Sequence, residues 1–185
     1  RQMCIRDSLN TPLFTEDNSK SIVSEKVRGI RSNIMFSGVE EVQSIIVTSE
    51  KPAAGKSIIS ANIAITYAQA GYKTLIIDGD MRKPTQHYHF ETTNYDGLSN
   101  LIIGKSNFDK SIIKTRVKNL DLMTAGPTPP NPSELIGSAA FENILRDLNE
   151  IYDFILIDTP PIISVTDAQV YLRFVPNCVM VIDVQ

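Results

Sequence analysis

A single doubly wound α/β domain, with a mostly parallel sheet flanked by helices, is the fold class this sequence predicts. Two observations carry that expectation. Short apolar runs alternate along the chain with amphipathic stretches, the order of a parallel sheet covered by helices. The runs are also continuous in apolar residues, as strands buried on both faces are. A third observation sets the scale: 185 residues supply one sizeable core and are too few for two ordinary domains.

The elements follow in order. Residues 1–20 are assigned to an N-terminal segment of uncertain structure, and residues 1–10 show no usable pattern. Residues 21–185 form the expected domain. Ser21 to Ser37 reads as a helix, because Ile22, Val23, Val27, Ile30, Ile34 and Met35 recur at helical spacing. Ser44 to Thr48 is a first buried strand, and Lys56 to Ala70 a helix closed by Gly71. Thr74 to Asp78 is a second strand. Asn119 to Met123 is a third, before a proline-rich turn from Gly126 to Pro132. Ser133 to Glu150 reads as a helix broken near Gly137, and Phe154 to Asp158 and Val179 to Val184 as the last strands. With no cap or tail behind Val184, the reading expects the domain to continue C-terminally.

Composition narrows the function classes. Apolar residues make up 42% and charged residues 21%, the profile of a globular protein, and a net charge of −3 gives no electrostatic reason to expect nucleic acid. No run approaches the roughly 20 apolar residues of a membrane-spanning helix, and the polar opening broken by Pro12 is no secretory signal. The two cysteines, Cys4 and Cys178, fit a reducing compartment, and Cys178 in its apolar run is expected to be a buried thiol. His87 and His89 are read as surface residues.

The strongest motif is Ser49-Glu50-Lys51-Pro52-Ala53-Ala54-Gly55-Lys56-Ser57, which leaves a strand and opens a helix. This is the context of a phosphate-binding loop. Backbone N–H groups at a helix N-terminus face the phosphates, so the chain must come close, and Gly55 permits that. Lys56 places a point charge on the β and γ phosphates, and the Ser57 hydroxyl can ligate Mg²⁺. The full pattern asks for glycine where Glu50 stands.

Two acidic motifs accompany it. Leu75-Ile76-Ile77-Asp78-Gly79-Asp80-Met81-Arg82 and Phe154-Ile155-Leu156-Ile157-Asp158-Thr159-Pro160-Pro161 each end a buried strand with carboxylates. In an open parallel sheet, ligands sit outside the carboxyl ends of strands, so one crevice can gather the loop, Asp78, Asp80 and Asp158. Mg²⁺ is held by one or two carboxylates plus phosphates and water, which these residues can supply. ATP or ADP with Mg²⁺ is the expected ligand of a P-loop NTPase-like domain.

At these residues the chain resembles the bacterial tyrosine kinases of the separate cytoplasmic type, which govern capsule or exopolysaccharide synthesis. The resemblance runs from about Glu25 to the last residue. It rests on the loop of Ser-Glu-x-Pro type, on Asp78-x-Asp80-x-Arg82-Lys83-Pro84, and on Ile157-Asp158-Thr159-Pro160-Pro161. Pro129-Pro130-Asn131-Pro132-Ser133-Glu134-Leu135 and Glu25-x-x-Arg28-x-x-Arg31 are similar to family segments too. Taken alone, Glu25, Arg28 and Arg31 read as an ion-pair ladder on one helix face. The resemblance makes them an oligomerisation motif through which subunits form rings.

The resemblance further implies phosphoryl transfer from ATP to a tyrosine hydroxyl, achieved by positioning and charge stabilisation. Residues 51–58 would hold the nucleotide, with Lys56 on the phosphates. Ser57, Asp80 and Asp158 would hold Mg²⁺, and Asp78 would accept or orient the tyrosine proton. Arg82 could pair with Asp78 or Asp80, or face the phosphates. The implied partners are the cytoplasmic tail of a membrane activator (a polysaccharide co-polymerase) and a tyrosine-containing protein, the chain's own C-terminal tail in trans. The activator would recruit the kinase to the inner face of the cell membrane.

Three departures qualify the pattern. Family loops have glycine at Ala53, and alanine at positive φ would cost about 1 kcal/mol. Lys51 holds the place of the signature lysine of the partition and septum-site ATPases, but Pro52-Ala53 follows it instead of two glycines, so it is read as coincidence. The six tyrosines are scattered, and none is offered as a phosphosite. The alternatives are a partition-type ATPase switch, or a nucleotide-binding scaffold without kinase activity. The basic stretch Lys105, Lys110, Lys114, Arg116 and Lys118, which would serve such a switch, is read as a solvated face.

Overall fold

The computed structural model describes residues 13, 21–38 and 41–183. The expected N-terminal segment therefore lies outside the described residues except for Leu13, which is buried in the core, and Val184 lies outside as well. Six strands form one sheet: β1 (Ser44–Ser49), β2 (Thr74–Asp78), β3 (Ile112–Lys114), β4 (Leu120–Met123), β5 (Phe154–Asp158) and β6 (Cys178–Val181), in the order β3-β4-β2-β5-β1-β6. All neighbours are parallel except β3 and β4, a short antiparallel edge pair that the sequence reading did not foresee. Three half-exposed residues carry too little pattern to announce a strand.

The helices are α1 (Ile22–Met35), α2 (Lys56–Gln69), α3 (Gln86–His89), α4 (Leu98–Ile102), α5 (Phe108–Ser111), α6 (Pro132–Ile136), α7 (Ala139–Ile151) and α8 (Asp167–Tyr171). Their ends follow local chemistry. Ser21 caps α1 by accepting from Ser24 N, and Ser138 caps α7 by accepting from Phe141 N. The break expected near Gly137 falls between α6 and α7. Gly71, at φ 97°, follows α2 as anticipated.

The pleat sends alternate strand residues to opposite faces, giving two cores. On one face Ile45, Val47, Ile76, Leu122 and Leu156 pack beneath α1 and α2. On the other, Ile46, Leu75, Ile77, Ile155 and Ile157 meet Phe141, Leu145 and Leu148 of α7. Each fully buried Ile, Leu or Phe contributes about 1.5–3 kcal/mol. β1, β2, β4 and β5 are buried almost throughout, as their apolar runs predict.

β6 departs from that expectation. It pairs only with β1 among the described strands, and Cys178 and Met180 are exposed. The thiol read as buried is at the surface because an edge strand is not covered as a central one is.

Candidate functional site

The register fixes the site. Val47 of β1 lies beside Asp158 of β5, and Asp158 beside Asp78 of β2, so the three motif strands end at one level. The loop leaving β1 enters α2 through Gly55 at φ 76°, and Ala53 also adopts positive φ, 64°. With Pro52, Ser57 and Asp80 these residues border a cleft of about 600 Å³, which Pro160 and Pro161 also line.

Lys56 is 7% exposed, and its Nζ is ion-paired with Asp158 Oδ1 and donates to Ser57 Oγ at 3.2 Å. Ser60 Oγ donates to the same Asp158 oxygen at 3.2 Å, while Gln86 Nε2 donates to Asp158 Oδ2 at 2.7 Å. Asp158 is thus buried with donors on both oxygens.

Asp78 is fully buried and accepts three backbone N–H groups, from Asp80 at 3.2 Å and from Thr85 and Gln86 at 2.9 Å each. Burial first, and then the charge of Asp158, push its carboxyl up to about 8. Asp80 is 8% exposed and does border the cleft; its Oδ1 accepts from Lys83 N at 2.9 Å and Arg82 N at 3.2 Å. Burial raises its pKa, against the pull of those N–H groups.

The residues expected at the nucleotide site fall into two groups. Pro52 to Ile58, Asp80 and Lys56 border the cleft, whereas Lys51 is exposed and does not. Asp78, expected to meet the acceptor hydroxyl, lies behind the wall with its oxygens engaged by the turn that follows. Arg82 pairs with neither carboxylate of its motif. Its Nε and Nη2 grip Asp167 at 2.9 and 3.1 Å, and Asp167 also accepts from Ser133 Oγ. His89, expected at the surface, is only 9% exposed, because α3 folds back against the cleft; burial lowers its pKa. His87 is half-buried and lies against the ring of Tyr88.

Of the proposed oligomerisation residues, Glu25 is exposed and Arg28 half-buried, but Arg31 turns inward. Its Nη1 donates to the Thr66 carbonyl near the end of α2 at 2.6 Å, where a cation complements the helix dipole. The basic stretch is partly neutralised by Lys114–Asp121 and Arg116–Glu91 pairs. Tyr67, Tyr152 and Tyr171 are buried, while Tyr88 and Tyr95 are exposed.

Sequence reasoning missed Gln86, Ser133 and Asp167. Thr166-Asp167-Ala168 reads as an ordinary helix start, and an uncharged glutamine two residues after Pro84 gives no signal at all.

Ser57 and Asp80 bring oxygen ligands to the cleft, and Lys56, which borders it, is paired with the buried Asp158 carboxylate; these oxygens are the donors of a hard cation. No cluster of three His, Cys, Asp or Glu side chains among the described residues could close round a metal unaided. A cation here would complete its shell with phosphate and water, which is the habit of Mg²⁺. The buried Gln86 Oε1, without a partner in the protein, adds an acceptor beside those ligands. The residues present therefore fit Mg-nucleotide.

Residues 42–183 match a family model described as an AAA domain. The chain is 65% identical over 184 residues to the putative tyrosine-protein kinase CapB of Staphylococcus aureus, covering 99% of the chain and 81% of that protein. It is 41% identical over 164 residues to the tyrosine-protein kinase YwqD of Bacillus subtilis, covering 88% of the chain and 69% of that protein. The solved kinase domain of the Escherichia coli tyrosine kinase ETK superimposes with a TM-score of 0.88 at 34% identity, over 93% of this chain and 68% of that one. With this cleft, these strand ends and these relatives, the chain belongs to the bacterial tyrosine-protein kinases of capsule and exopolysaccharide systems.

Proposed function

We infer that this chain transfers the γ-phosphate of ATP to a tyrosine hydroxyl, in the control of capsular or exopolysaccharide synthesis and export. The observation that carries the reading is the convergence of Lys56, Ser57 and Asp80 on one cleft, with the buried Asp158 paired to Lys56, in a chain of this family. Mg²⁺, when bound, supplies charge neutralisation at the β and γ phosphates.

The chain's own residues do the positioning. Backbone N–H groups of Ala54 to Ser57, at the N-terminus of α2, bind phosphate oxygens. Lys56 has three N–H donors, of which Asp158 and Ser57 take two, leaving one for phosphate. Ser57, Asp80 and Asp158 hold the cation directly or through water. Asp80, which borders the cleft, is the carboxylate of its motif that reaches the incoming hydroxyl. Asp78 stands behind it and fixes the turn through the N–H groups of Thr85 and Gln86.

The tyrosine comes from a second copy's C-terminal tail, presented within a homo-oligomeric ring to which α1 contributes Glu25 and Arg28. Among the described residues no helix is long and apolar enough to cross a membrane. In this reading an activator's cytoplasmic tail brings the kinase to the inner membrane face. No nucleic acid takes part.

The test mixes the chain with Mg-ATP, an activator-tail peptide and a tyrosine-rich substrate, and follows phosphotyrosine by immunoblot. Lys56→Met and Asp80→Asn serve as controls. Signal that requires both residues supports the kinase. ATP hydrolysis stimulated by DNA or lipid, with no phosphotyrosine, would refute it and favour a partition-type switch.

A further inference from the structure

Gln86 belongs to none of the three motifs, yet it touches all of them. It opens α3 and is fully buried. Its backbone N–H donates to Asp78 Oδ2 at 2.9 Å. Its side-chain Nε2 donates to the Ser57 carbonyl at 2.9 Å and to Asp158 Oδ2 at 2.7 Å. Both side-chain partners are acceptors only, so the amide nitrogen, and not the oxygen, must face them. Both amide hydrogens are thereby used. Oε1 is buried and has no partner within the protein.

We propose that Gln86 is a positioning residue of the phosphoryl-transfer site, locking the phosphate loop and the two acidic strand ends into one unit that receives hydrated Mg²⁺. The proposal rests on the Mg-nucleotide reading above and deepens it. Asp158 Oδ1 is held by Lys56 and Ser60, so without Gln86 its Oδ2 would lose its donor and the carboxylate could swing about a single fixed oxygen. Ser57 would lose the bond that fixes its carbonyl and, through it, the start of α2. Buried acceptors without partners are rare in native proteins and are kept where something else satisfies them. Water bound to Mg²⁺ beside Ser57 and Asp158 is a donor of the right chemistry for Oε1. A glutamate here would set a second carboxylate against Asp158 and the Ser57 carbonyl, whereas a glutamine gives two donors and one free acceptor.

The test measures binding of a fluorescent ADP analogue, in Mg²⁺ and in EDTA, to the full chain and to Gln86→Met and Gln86→Glu. Methionine keeps the length and volume and removes every side-chain hydrogen bond. Glutamate keeps Oε1 and the shape and replaces the donor, so a folding failure of one variant leaves the other to decide. Outer partners of metal ligands change metal affinity by about 10–100-fold, so each variant should lose about tenfold or more of the Mg-dependent gain, on top of whatever affinity it loses in EDTA. Gln86→Met that retains the wild-type ratio of the two affinities, or that loses both equally, would overturn the proposal in favour of a purely structural glutamine. A wild-type chain that binds ADP no better with Mg²⁺ than with EDTA would instead overturn the nucleotide-site reading and this proposal together.

Discussion

Ala53 offers the most direct test of how the phosphate loop is built. It sits at φ 64°, in the left-handed region, where a β-carbon costs about 1–2 kcal/mol. Ala53→Gly removes that cost but gives the unfolded chain more freedom, worth about 0.5–1 kcal/mol against folding. The net gain is therefore small, and a second variant is needed to isolate it. Ala70 is exposed and sits at φ −80°, so Ala70→Gly carries the entropy loss with no strain to relieve. The difference between the variants cancels the entropy and leaves about 1–2 kcal/mol in favour of Ala53→Gly. For a domain of this size, 1 kcal/mol moves the thermal midpoint by about 2–4 °C, so the two variants should differ by roughly 2–8 °C. Calorimetry of the ligand-free chain reads this directly. Equal losses in the two variants would refute the strained loop.

Three further outcomes follow from the site. Lys56→Met strands the buried Asp158 carboxylate and should cost about 3–5 kcal/mol in urea unfolding, much of it recovered in Lys56→Met/Asp158→Asn; a double variant no more stable than the single one would contradict the pairing. Arg82→Met leaves buried Asp167 with only the Ser133 hydroxyl, and since Arg82 is partly exposed, about 1–3 kcal/mol of stability should go. The same denaturant titration checks it, and a loss under about 0.5 kcal/mol, the range of an ordinary surface change, would count against the pair. Asp78 has its folded pKa raised to about 8, far above the unfolded value, so its contribution is fullest at acid pH and is lost as pH climbs toward 8. Asp78→Asn cannot titrate, so wild type should lose stability relative to it on going from about pH 5.5 to 7.5. A flat or opposite trend would show that Asp78 is not held in this way.

What the sequence made legible was the part that periodicity and charge announce. Leu75 to Asp78 and Phe154 to Asp158 are unbroken apolar runs ending in acids, so both the strands and their functional ends could be read directly. The helix break at Gly137 and the loop from Ser49 to Ser57 were legible from glycine and proline. What escaped depended on partners far along the chain. Arg82 had two carboxylates within four residues, yet it pairs with Asp167, 85 positions away, because the turn after β2 aims it across the cleft mouth. Arg31 sat in a tidy helical ladder, but the end of α2 draws it inward. Cys178 lay in as apolar a run as any central strand, and only sheet order reveals that its strand is an edge. Gln86 carries no charge and no motif, so its threefold attachment is visible only in three dimensions.

The register of β1 against β5 has a consequence for how the chain is made. Ser44 pairs with Ile155, and 155 − 44 gives a separation of 111 residues. The phosphate loop is thus synthesised early, yet Lys56 meets its buried carboxylate only after Asp158 has left the ribosome. Closing so long a loop is a late and slow event in folding, as non-local strand pairing generally is. Nucleotide therefore cannot template the first half of the domain. An emerging chain holds β1 and α2 without the strand that separates β1 from β2, leaving two apolar edges open during translation. Kinase competence and the closing of those edges arrive in the same step.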